Sequence, residues 1–183
     1  LHPLDVVRRG RRAAAGVHTV AARGRASAVQ AGEGRHVVAP VLVLGGVALP
    51  FEKGLRAHSD GDALAHAIGD AILGALGLGD LGSHFPDSDP RWRGASSLDL
   101  LERIRALAEE RGARVVQVDS TVIAEAPRLQ PHVPAMRENL GRALAIGADR
   151  VSVKATTNEG LGAIGREEGI AALAVVLVAI EPS

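Results

Sequence analysis

Residues 57–70, AHSDGDALAHAIGD, decide how the rest of the sequence is interpreted. The stretch combines small apolar residues with two histidines and three aspartates. It predicts a helix from Ser59 to about Leu76, in which Ser59 caps the first turn and Asp62 stands three residues further on. The apolar positions of this helix are expected to face the core.

Three polar residues of this helix recur at a spacing of four, which places them on one face. Asp62, His66 and Asp70 therefore predict a narrow polar stripe. A neutral imidazole suits Zn²⁺, and a carboxylate can bind the metal or orient the histidine. An ordinary solvated helix face explains the same pattern without a metal. His58 and Ser59 stand at the expected helix start, where unpaired N–H groups either attract a phosphate or simply need a cap.

Strands and helices alternate in the surrounding sequence. Residues 41–49 predict a buried strand bent at its glycines, and residues 77–94 predict a long loop. Ser96 or Ser97 is expected to cap a helix that Gly112 ends. The later segments predict a strand at 114–125, a loop, a helix at 134–146, and strands at 150–156 and 169–180. This order favours an α/β arrangement with helices packed on a sheet.

The composition limits both the core and the partners. The formal net charge at pH 7 is zero, so nothing in the charge balance indicates a nucleic acid partner. Cysteine is absent, so a metal site must use His, Asp or Glu. Aromatic residues make up only 2% of the chain, and burial at a subunit interface would add to an aliphatic core. No apolar run reaches the roughly 18 residues of a membrane span.

The first 36 residues differ from the rest. They carry seven arginines, many alanines and only two acidic residues. They show no apolar periodicity, so a disordered basic arm is expected. A targeting segment and a long insertion are the alternatives. We therefore predict an atypical Arg/Ala-rich arm over residues 1–36 and a folded domain over residues 37–183.

Two loops carry further groups that can bind a ligand. Residues 80–89, DLGSHFPDSD, contain three aspartates, which either bind a ligand or form turns. Residues 154–166, KATTNEGLGAIGR, combine hydroxyls and glycines with Glu159 and Arg166. Hydroxyls, backbone amides and a guanidinium group can bind a diphosphate, and a carboxylate can hold Mg²⁺ between phosphates.

Seven segments together resemble the 2-C-methyl-D-erythritol 2,4-cyclodiphosphate synthases of the non-mevalonate isoprenoid pathway. The resemblance runs in order, and nearly without gaps, from about Val41 to Ile180. The segments are LGGV (44–47), EKG (52–54), AHSDGDALAHAIGDAILGALGLGDLG (57–82), FPDSDPRW (85–92), AEAPRL (124–129), VKATTNEGLG (153–162) and GREEGIAA (165–172).

The resemblance implies a fold and a reaction. The fold is a single α/β (α+β) domain, in which a four-stranded mixed sheet carries helices on one face, and it assembles as a homotrimer with active sites between subunits. The substrate is 4-diphosphocytidyl-2-C-methyl-D-erythritol 2-phosphate. Its 2-phosphate attacks the β-phosphorus of its own diphosphate, closes the ring and expels CMP. This is a phosphorus–oxygen lyase reaction that needs positioning and charge stabilisation rather than a protein nucleophile.

Carried over residue by residue, the resemblance also assigns roles. His58 and Thr157 match the pair that stabilises the transition state, His66 matches the zinc ligand on the helix, and Glu159 matches the ligand of a Mg²⁺ or Mn²⁺ that bridges the phosphates. The substrate contacts match His58, Ser59, Asp80, Gly82, Phe85, Asp87, Asp89, Ala124, Arg128, Leu129, Gln130, Thr156, Thr157, Glu159, Ala163 and Arg166. Among these, Ser59 and Arg166 match phosphate contacts, Asp80 and Gly82 ribose contacts, residues 85–89 a loop over the methylerythritol part, and residues 124–130 with Thr156 the cytidine pocket. Arg128 stands where lysine is common, and Ala163 where a larger side chain is common.

The N-terminal region departs from the family pattern. The family carries an Asp-x-His on its first strand, and both residues bind zinc together with the helix histidine. The usual spacing lands near Gly32 and Gly34, and residues 1–44 contain no Asp-x-His. His18 and His36 are available, but His2 is the best candidate for the missing ligand. A catalytic zinc normally needs three protein ligands, so this departure predicts weakened zinc binding.

Two other functions stay open beside the active synthase. One is a catalytically impaired homologue that still forms a trimer and binds cytidine nucleotides. The other is a metal-dependent phosphohydrolase built on the His and Asp cluster. The expected partners are the small-molecule substrate and further copies of the chain, without nucleic acid or membrane. The expected location is the bacterial cytoplasm, or a plastid if residues 1–36 are a targeting segment.

Overall fold

The computed structural model describes residues 41–55 and 57–180, together with the backbone of residues 12–23. These residues form a mixture of strands and helices. The strands are β1 (Arg12–Arg23), β2 (Leu42–Leu44), β3 (Val47–Leu49), β4 (Ala113–Ile123), β5 (Val151–Thr156) and β6 (Gly169–Ile180). The helices are α1 (Ala63–Ala75), α2 (Leu81–His84), α3 (Ser97–Glu109), α4 (Val133–Ala143) and α5 (Gly162–Gly165).

Within the described residues, four strands form a mixed sheet in the order β1-β6-β4-β5. β6 runs antiparallel to both of its neighbours, and β4 runs parallel to β5. The parallel pair requires a crossover, which α4 supplies by packing on β5. The β4–α4–β5 unit accounts for the alternation that the sequence predicts.

The expectation of a disordered arm is wrong for residues 12–23. They form β1, which pairs along its whole length with β6, from Arg12 opposite Ile180 to Arg23 opposite Gly169. Backbone hydrogen bonding to a neighbouring strand does not require the alternating pattern that the sequence lacks here. The boundary at residues 36 and 37 stays a prediction, and His2 and His36 lie outside the described residues.

One face of the sheet is covered by helices. In β6, Ala172, Ala174 and Val176 are fully buried, whereas Val175 and Leu177, which alternate with them, are 43% and 38% exposed. α1 packs on β1 and β6, and α3 packs on α1. A Cβ on Gly69 of α1 would lie 2.8 Å from the Ile104 side chain of α3, so a small residue is needed at this contact. On the opposite face, these two exposed apolar side chains of β6 lie beside Gln117 and Asp119 of β4, and Asp119 forms an ion pair with Lys154 of β5.

Residues 41–49 form a hairpin rather than one bent strand. β2 and β3 pair through the turn Gly45–Gly46, where φ is +57° and +69°. Two consecutive positive φ angles suit a tight hairpin turn, and glycine adopts them without steric cost. The carboxylate of Asp62 accepts a hydrogen bond from Gly46 N at 2.7 Å, which fixes the hairpin to the start of α1.

The predicted long helix starts later than expected. α1 begins at Ala63, and its N-cap is Asp62 rather than Ser59, because the Asp62 carboxylate accepts the Ala65 N–H at 3.0 Å. Likewise Ser96 is the N-cap of α3, and Ser97 is its first residue. The loops predicted at 77–94 and 154–166 contain the short helices α2 and α5. In the described part of the chain, no helix is long and apolar enough to cross a membrane.

Candidate active site

A pocket of about 260 Å³ opens beside the start of α1. It collects residues from the segment before α1, from α1 itself, from the loop after it and from α3. Its lining consists of Ala57, His58, Ser59, His66, Leu81, Gly82, Phe85, Asp87, Trp92 and Leu100. The pocket therefore brings together six of the residues that the sequence assigns to the site: His58, Ser59, His66, Gly82, Phe85 and Asp87.

His66 lies in a network of hydroxyl groups. Its Nε2 is 3.2 Å from Ser59 Oγ and 3.1 Å from Ser97 Oγ. The single hydroxyl hydrogen of Ser97 is donated to the Asp60 carboxylate, so Ser97 accepts from His66, and this assigns the ring proton to Nε2. Burial lowers the pKa of His66, and the nearby Asp60 and Asp70 charges oppose that shift. The imidazole is therefore held neutral and in one orientation.

Asp60 joins the segment before α1 to the start of α3. Its carboxylate accepts from Ser97 N at 2.9 Å in addition to the Ser97 hydroxyl, and its own N–H donates to Ala95 O at 3.0 Å. Gly94 N donates to His58 O at 2.8 Å. These bonds fix the backbone on which His58 and Ser59 stand.

The polar stripe predicted on α1 does not form as expected. Asp62 is fully buried and caps the helix, and burial raises its pKa to about 6 against the lowering effect of its backbone hydrogen bonds. Asp70 is 8% exposed and accepts from Leu81 N at 2.7 Å, so it holds the start of α2. Only His66 of the three lines the pocket. Because Asp62 takes the Ala65 N–H, the start of α1 is less open to a phosphate than expected.

The described residues do not fit a complete zinc site. They contain no group of three or more His, Asp or Glu side chains that could hold a metal ion. Among the side chains that the structure describes, His66 is the one zinc candidate, and its Nε2 faces two hydroxyls. His18 lies in β1 opposite Ala174, where only the backbone is described. His2, the other candidate, lies outside the described residues. Three protein ligands are the norm for a catalytic zinc, so no zinc chemistry is derived from this arrangement.

The loop after α1 is ordered by its own aspartates. Asp80 caps α2, where its carboxylate accepts from Ser83 N and Ser83 Oγ at 2.8 and 2.7 Å. Asp89 forms a 2.6 Å ion pair with Arg91, which lowers the pKa of Asp89. Asp87 is exposed and lines the pocket. Both readings of the aspartates thus apply: two organise turns, and one faces the pocket.

The residues that match a cytidine pocket form a second group. Ala124 N donates to Thr156 O at 3.0 Å, which joins the end of β4 to the end of β5. Ala124 and Leu129 are 8% and 4% exposed, whereas Arg128 and Gln130 are exposed. None of these residues lines the pocket around His66.

The glycine-rich loop after β5 is held by Glu125, which lies within the segment that matches the cytidine pocket. Glu125 Oε1 accepts from Asn158 N at 2.8 Å and from Gly160 N at 3.2 Å. Thr157 Oγ1 donates to Glu159 Oε1 at 3.1 Å, so the expected catalytic threonine and the expected magnesium ligand are adjacent. Both side chains are exposed.

Arg166 and Ala163 lie at the far end of this loop. Arg166 is exposed and forms a 2.7 Å ion pair with Glu168, and Ala163 is exposed in α5. Because Arg166 already pairs with an acidic residue, a phosphate would have to compete with Glu168 for it.

The site therefore falls into two groups on one chain. The first is the pocket around His58, Ser59 and His66, and the second comprises residues 124–130 and 156–166, which do not line that pocket. No role for Asp60 or Trp92 follows from the sequence, which predicts Ser97 only as a helix cap. Asp60 lies inside the quoted 57–70 stretch, but only the tertiary contact with Ser97 reveals what it does.

Comparison with known proteins identifies the family. The model described as the YgbB family matches residues 28–179. The chain belongs to the YgbB family. The curated 2-C-methyl-D-erythritol 2,4-cyclodiphosphate synthase of Symbiobacterium thermophilum is 59% identical over 138 residues, which cover 75% of this chain and 88% of that protein. The family match starts within the predicted arm, after β1.

Solved structures of the family agree with the fold. A 2-C-methyl-D-erythritol 2,4-cyclodiphosphate synthase in its CDP-bound form superposes with a TM-score of 0.75 at 39% identity, covering 90% of this chain and 99% of that one. The bifunctional IspDF protein of Campylobacter jejuni superposes with a TM-score of 0.81 at 38% identity. The match covers 94% of this chain but only 43% of the bifunctional one. The expected single-domain α+β class and the family resemblance are thus confirmed.

Proposed function

We propose that this chain converts 4-diphosphocytidyl-2-C-methyl-D-erythritol 2-phosphate into 2-C-methyl-D-erythritol 2,4-cyclodiphosphate and CMP, a step in isoprenoid precursor biosynthesis. The observation that carries the proposal is the 59% identity with a curated synthase of that name. The pocket around His58, Ser59 and His66 supports it, because it offers hydrogen-bonding groups suited to phosphate. The class of enzyme is a phosphorus–oxygen lyase.

The chemistry is an internal phosphoryl transfer. An oxygen of the 2-phosphate forms a bond to the β-phosphorus, the bond from that phosphorus to the oxygen of the α-phosphate breaks, and the electron pair leaves with CMP. Water does not enter the product. The chain must therefore hold the two phosphates in line, offset their charge and exclude water.

His58 and Ser59 are the proposed phosphate contacts. The buried Nε2 of His58 has no hydrogen-bond partner among the described residues, so it can pair with a phosphate oxygen. The Asp60 contacts with Ser97 and Ala95 hold the His58–Ser59 backbone rigidly, which favours positioning. Phe85 and Asp87 are the proposed contacts of the methylerythritol part, and Asp80 and Gly82 of the ribose.

Thr157, Glu159 and Arg166 are the proposed diphosphate-side residues, and residues 124–130 with Thr156 are the proposed cytidine pocket. Glu159 fits a divalent metal, because one exposed carboxylate together with substrate phosphates is a usual Mg²⁺ environment. Mg²⁺ or Mn²⁺ held there would neutralise phosphate charge. Glu125 keeps the loop amides of Asn158 and Gly160 in place beside it.

A homotrimer would unite the two groups of site residues. On one chain they do not line a common pocket, and Val175 and Leu177 are exposed apolar side chains on the sheet face that no helix covers. Leu161, in the glycine-rich loop, is 69% exposed. Burying these side chains against a second copy would stabilise the assembly and bring residues 156–166 of one subunit to the pocket of another. Sedimentation of the purified chain should show trimers, and the variant Val175→Asp should dissociate them. A monomer with full activity would contradict the proposal that the site is shared between subunits.

An impaired homologue is the second candidate, since the described residues contain no complete zinc site. The two functions are separated by phosphorus NMR of the purified chain with the substrate and Mg²⁺, with Zn²⁺ added or chelated. Release of CMP and a cyclic diphosphate supports the proposed synthase. CDP binding without turnover supports the impaired homologue, and release of inorganic phosphate would indicate a phosphohydrolase instead. A cytoplasmic location is part of the proposal, in keeping with the bacterial relatives.

A further inference from the structure

Trp92 is a pocket residue to which no role has been assigned. It is the only tryptophan of the chain, and it lines the pocket together with His58, Ser59 and His66. Its indole Nε1 is enclosed and has no hydrogen-bond partner among the described residues. In that part of the chain, one other buried side-chain nitrogen or oxygen lacks a partner, and it is Nε2 of His58 in the same pocket.

Two buried nitrogens without hydrogen-bond partners are unusual, because buried polar groups in proteins almost always have partners. Leaving one unpaired costs about 1–3 kcal/mol. Two unpaired nitrogens on side chains that line one pocket are explained together if both pair with the ligand that fills it. An indole N–H can only donate, so the group that it meets must be an acceptor.

The ring itself is firmly placed. Trp92 packs edge-on against Phe85, with ring centroids 5.0 Å apart at 83°. The guanidinium groups of Arg103 and Arg91 lie 5.2 and 5.5 Å from the ring centroid. Aromatic and cation–π contacts of this kind fix the ring plane and leave the N–H without a role in the fold.

The backbone around Trp92 is also tied to the phosphate-binding segment. Ala95 N donates to Trp92 O at 3.1 Å, and the adjacent Gly94 N donates to His58 O at 2.8 Å. These two bonds keep the indole next to the His58 segment. Because the N–H is enclosed in the free chain, the proposed hydrogen bond requires a side-chain adjustment on ligand binding, which is common at binding sites.

We propose that Trp92 is a further substrate-binding residue, whose indole N–H donates a hydrogen bond to an oxygen of the methylerythritol 2-phosphate part of the substrate. This inference rests on the proposed function. Phosphate and hydroxyl oxygens are acceptors, and the pocket that Trp92 lines also holds the proposed phosphate contacts. The proposed ribose contact Gly82 also lines this pocket, but CDP lacks the methylerythritol 2-phosphate part, so the contact distinguishes the cyclic diphosphate from CDP.

The single tryptophan makes a direct test possible. A ¹H–¹⁵N spectrum of the labelled protein contains one indole Nε1–H signal. Saturation with the cyclic diphosphate product, which is not turned over, should move this proton downfield, because a hydrogen bond to a charged oxygen forms. CDP alone should leave it nearly unchanged. A signal that stays in place with the bound cyclic diphosphate would overturn the proposal.

Trp92→Phe keeps an aromatic ring and removes only the donor side of the indole. We expect the substrate KM and the Kd of the cyclic diphosphate to rise roughly tenfold, as for the loss of one such hydrogen bond, with the Kd of CDP and the melting temperature little changed. Equal loss of affinity for both ligands, or no loss for either, would refute the role of the N–H. If neither the parent chain nor the variant turns over the substrate, the proposed function fails. If the parent is active and the variant has unchanged KM and Kd values, only the inference about Trp92 fails.

Discussion

Ser97→Ala tests whether the hydroxyl network around His66 supports catalysis. Ser97 is 1% exposed, and its hydroxyl both donates to the Asp60 carboxylate and accepts from His66 Nε2. The variant keeps the Ser97 N–H bond to Asp60 but loses both hydroxyl bonds. A hydrogen bond to a charged group contributes about 1.5–3 kcal/mol and a neutral one about 1 kcal/mol. Partial relaxation and the retained N–H bond should limit the loss of unfolding free energy to about 2 kcal/mol.

The functional effect should be larger than the loss of stability implies. Without the Ser97 hydroxyl, the imidazole of His66 and the Asp60 carboxylate lose the group that hydrogen-bonds to both of them. The His58–Ser59 backbone is then held less firmly. We expect kcat to fall roughly 10–100-fold, the size of effect that a misplaced positioning group produces, with a smaller change in KM. Phosphorus NMR gives the rate, and urea unfolding at one fixed protein concentration gives the stability.

Ser96→Ala is the matched control. Ser96 is the N-cap of α3, but its side chain makes no capping hydrogen bond. Its replacement should therefore change both rate and stability little. Ser97→Thr keeps a hydroxyl and should recover part of the activity. The reasoning is refuted if Ser97→Ala behaves like Ser96→Ala in both assays.

Three further predictions concern other parts of the site. Burial raises the pKa of Asp62 to about 6. Between about pH 4 and pH 6 the folded chain therefore keeps a proton that the unfolded chain releases. The free energy of unfolding should fall over this range as the pH rises, by at most about 3 kcal/mol from this group. Urea unfolding between pH 4 and 7 should show this slope in the parent and not in Asp62→Asn; equal slopes would contradict it. Glu125→Ala removes the acceptor of the Asn158 and Gly160 amides, and calorimetry should show roughly tenfold weaker CDP binding, whereas a change below twofold would exclude a role for this contact. Glu159→Gln keeps an acceptor for Thr157 but loses the charge, so at least about tenfold more Mg²⁺ should be needed for half-maximal rate; an unchanged Mg²⁺ titration would remove Glu159 from the metal site.

The sequence predicted the later elements well because each has a strong local signal. The helices at 97–109 and 133–143 and the strands at 151–156 and 169–180 lie close to their predicted positions. The failures have tertiary causes. β1 has no alternating pattern of its own, and its pairing with β6 decides its conformation. The glycines at 45 and 46 predict a bend, but only the pairing of β2 with β3 shows that the bend closes a hairpin.

The candidate site was predicted in part. The residues of the 57–70 stretch and of the 80–89 loop indicated a polar pocket, and His58, Ser59, His66 and Asp87 do line one. The spacing of Asp62 and Asp70 suggested the same role. Both side chains are instead buried, and their carboxylates accept hydrogen bonds from backbone N–H groups. Helical spacing indicates which residues share a face of a helix. It does not indicate which other parts of the protein that face contacts.

The sequence by itself determined the family, the order of most elements and the chemical character of the site, because these depend on residue type and on spacing along the chain. Only the tertiary structure decided which carboxylates became caps, that the start of α3 brings Ser97 to His66, and that the two groups of site residues do not line a common pocket on one chain. Such outcomes depend on contacts between residues distant in sequence, and burial changes what a carboxylate or an N–H must bond to. A pattern read along the chain contains no information about those partners.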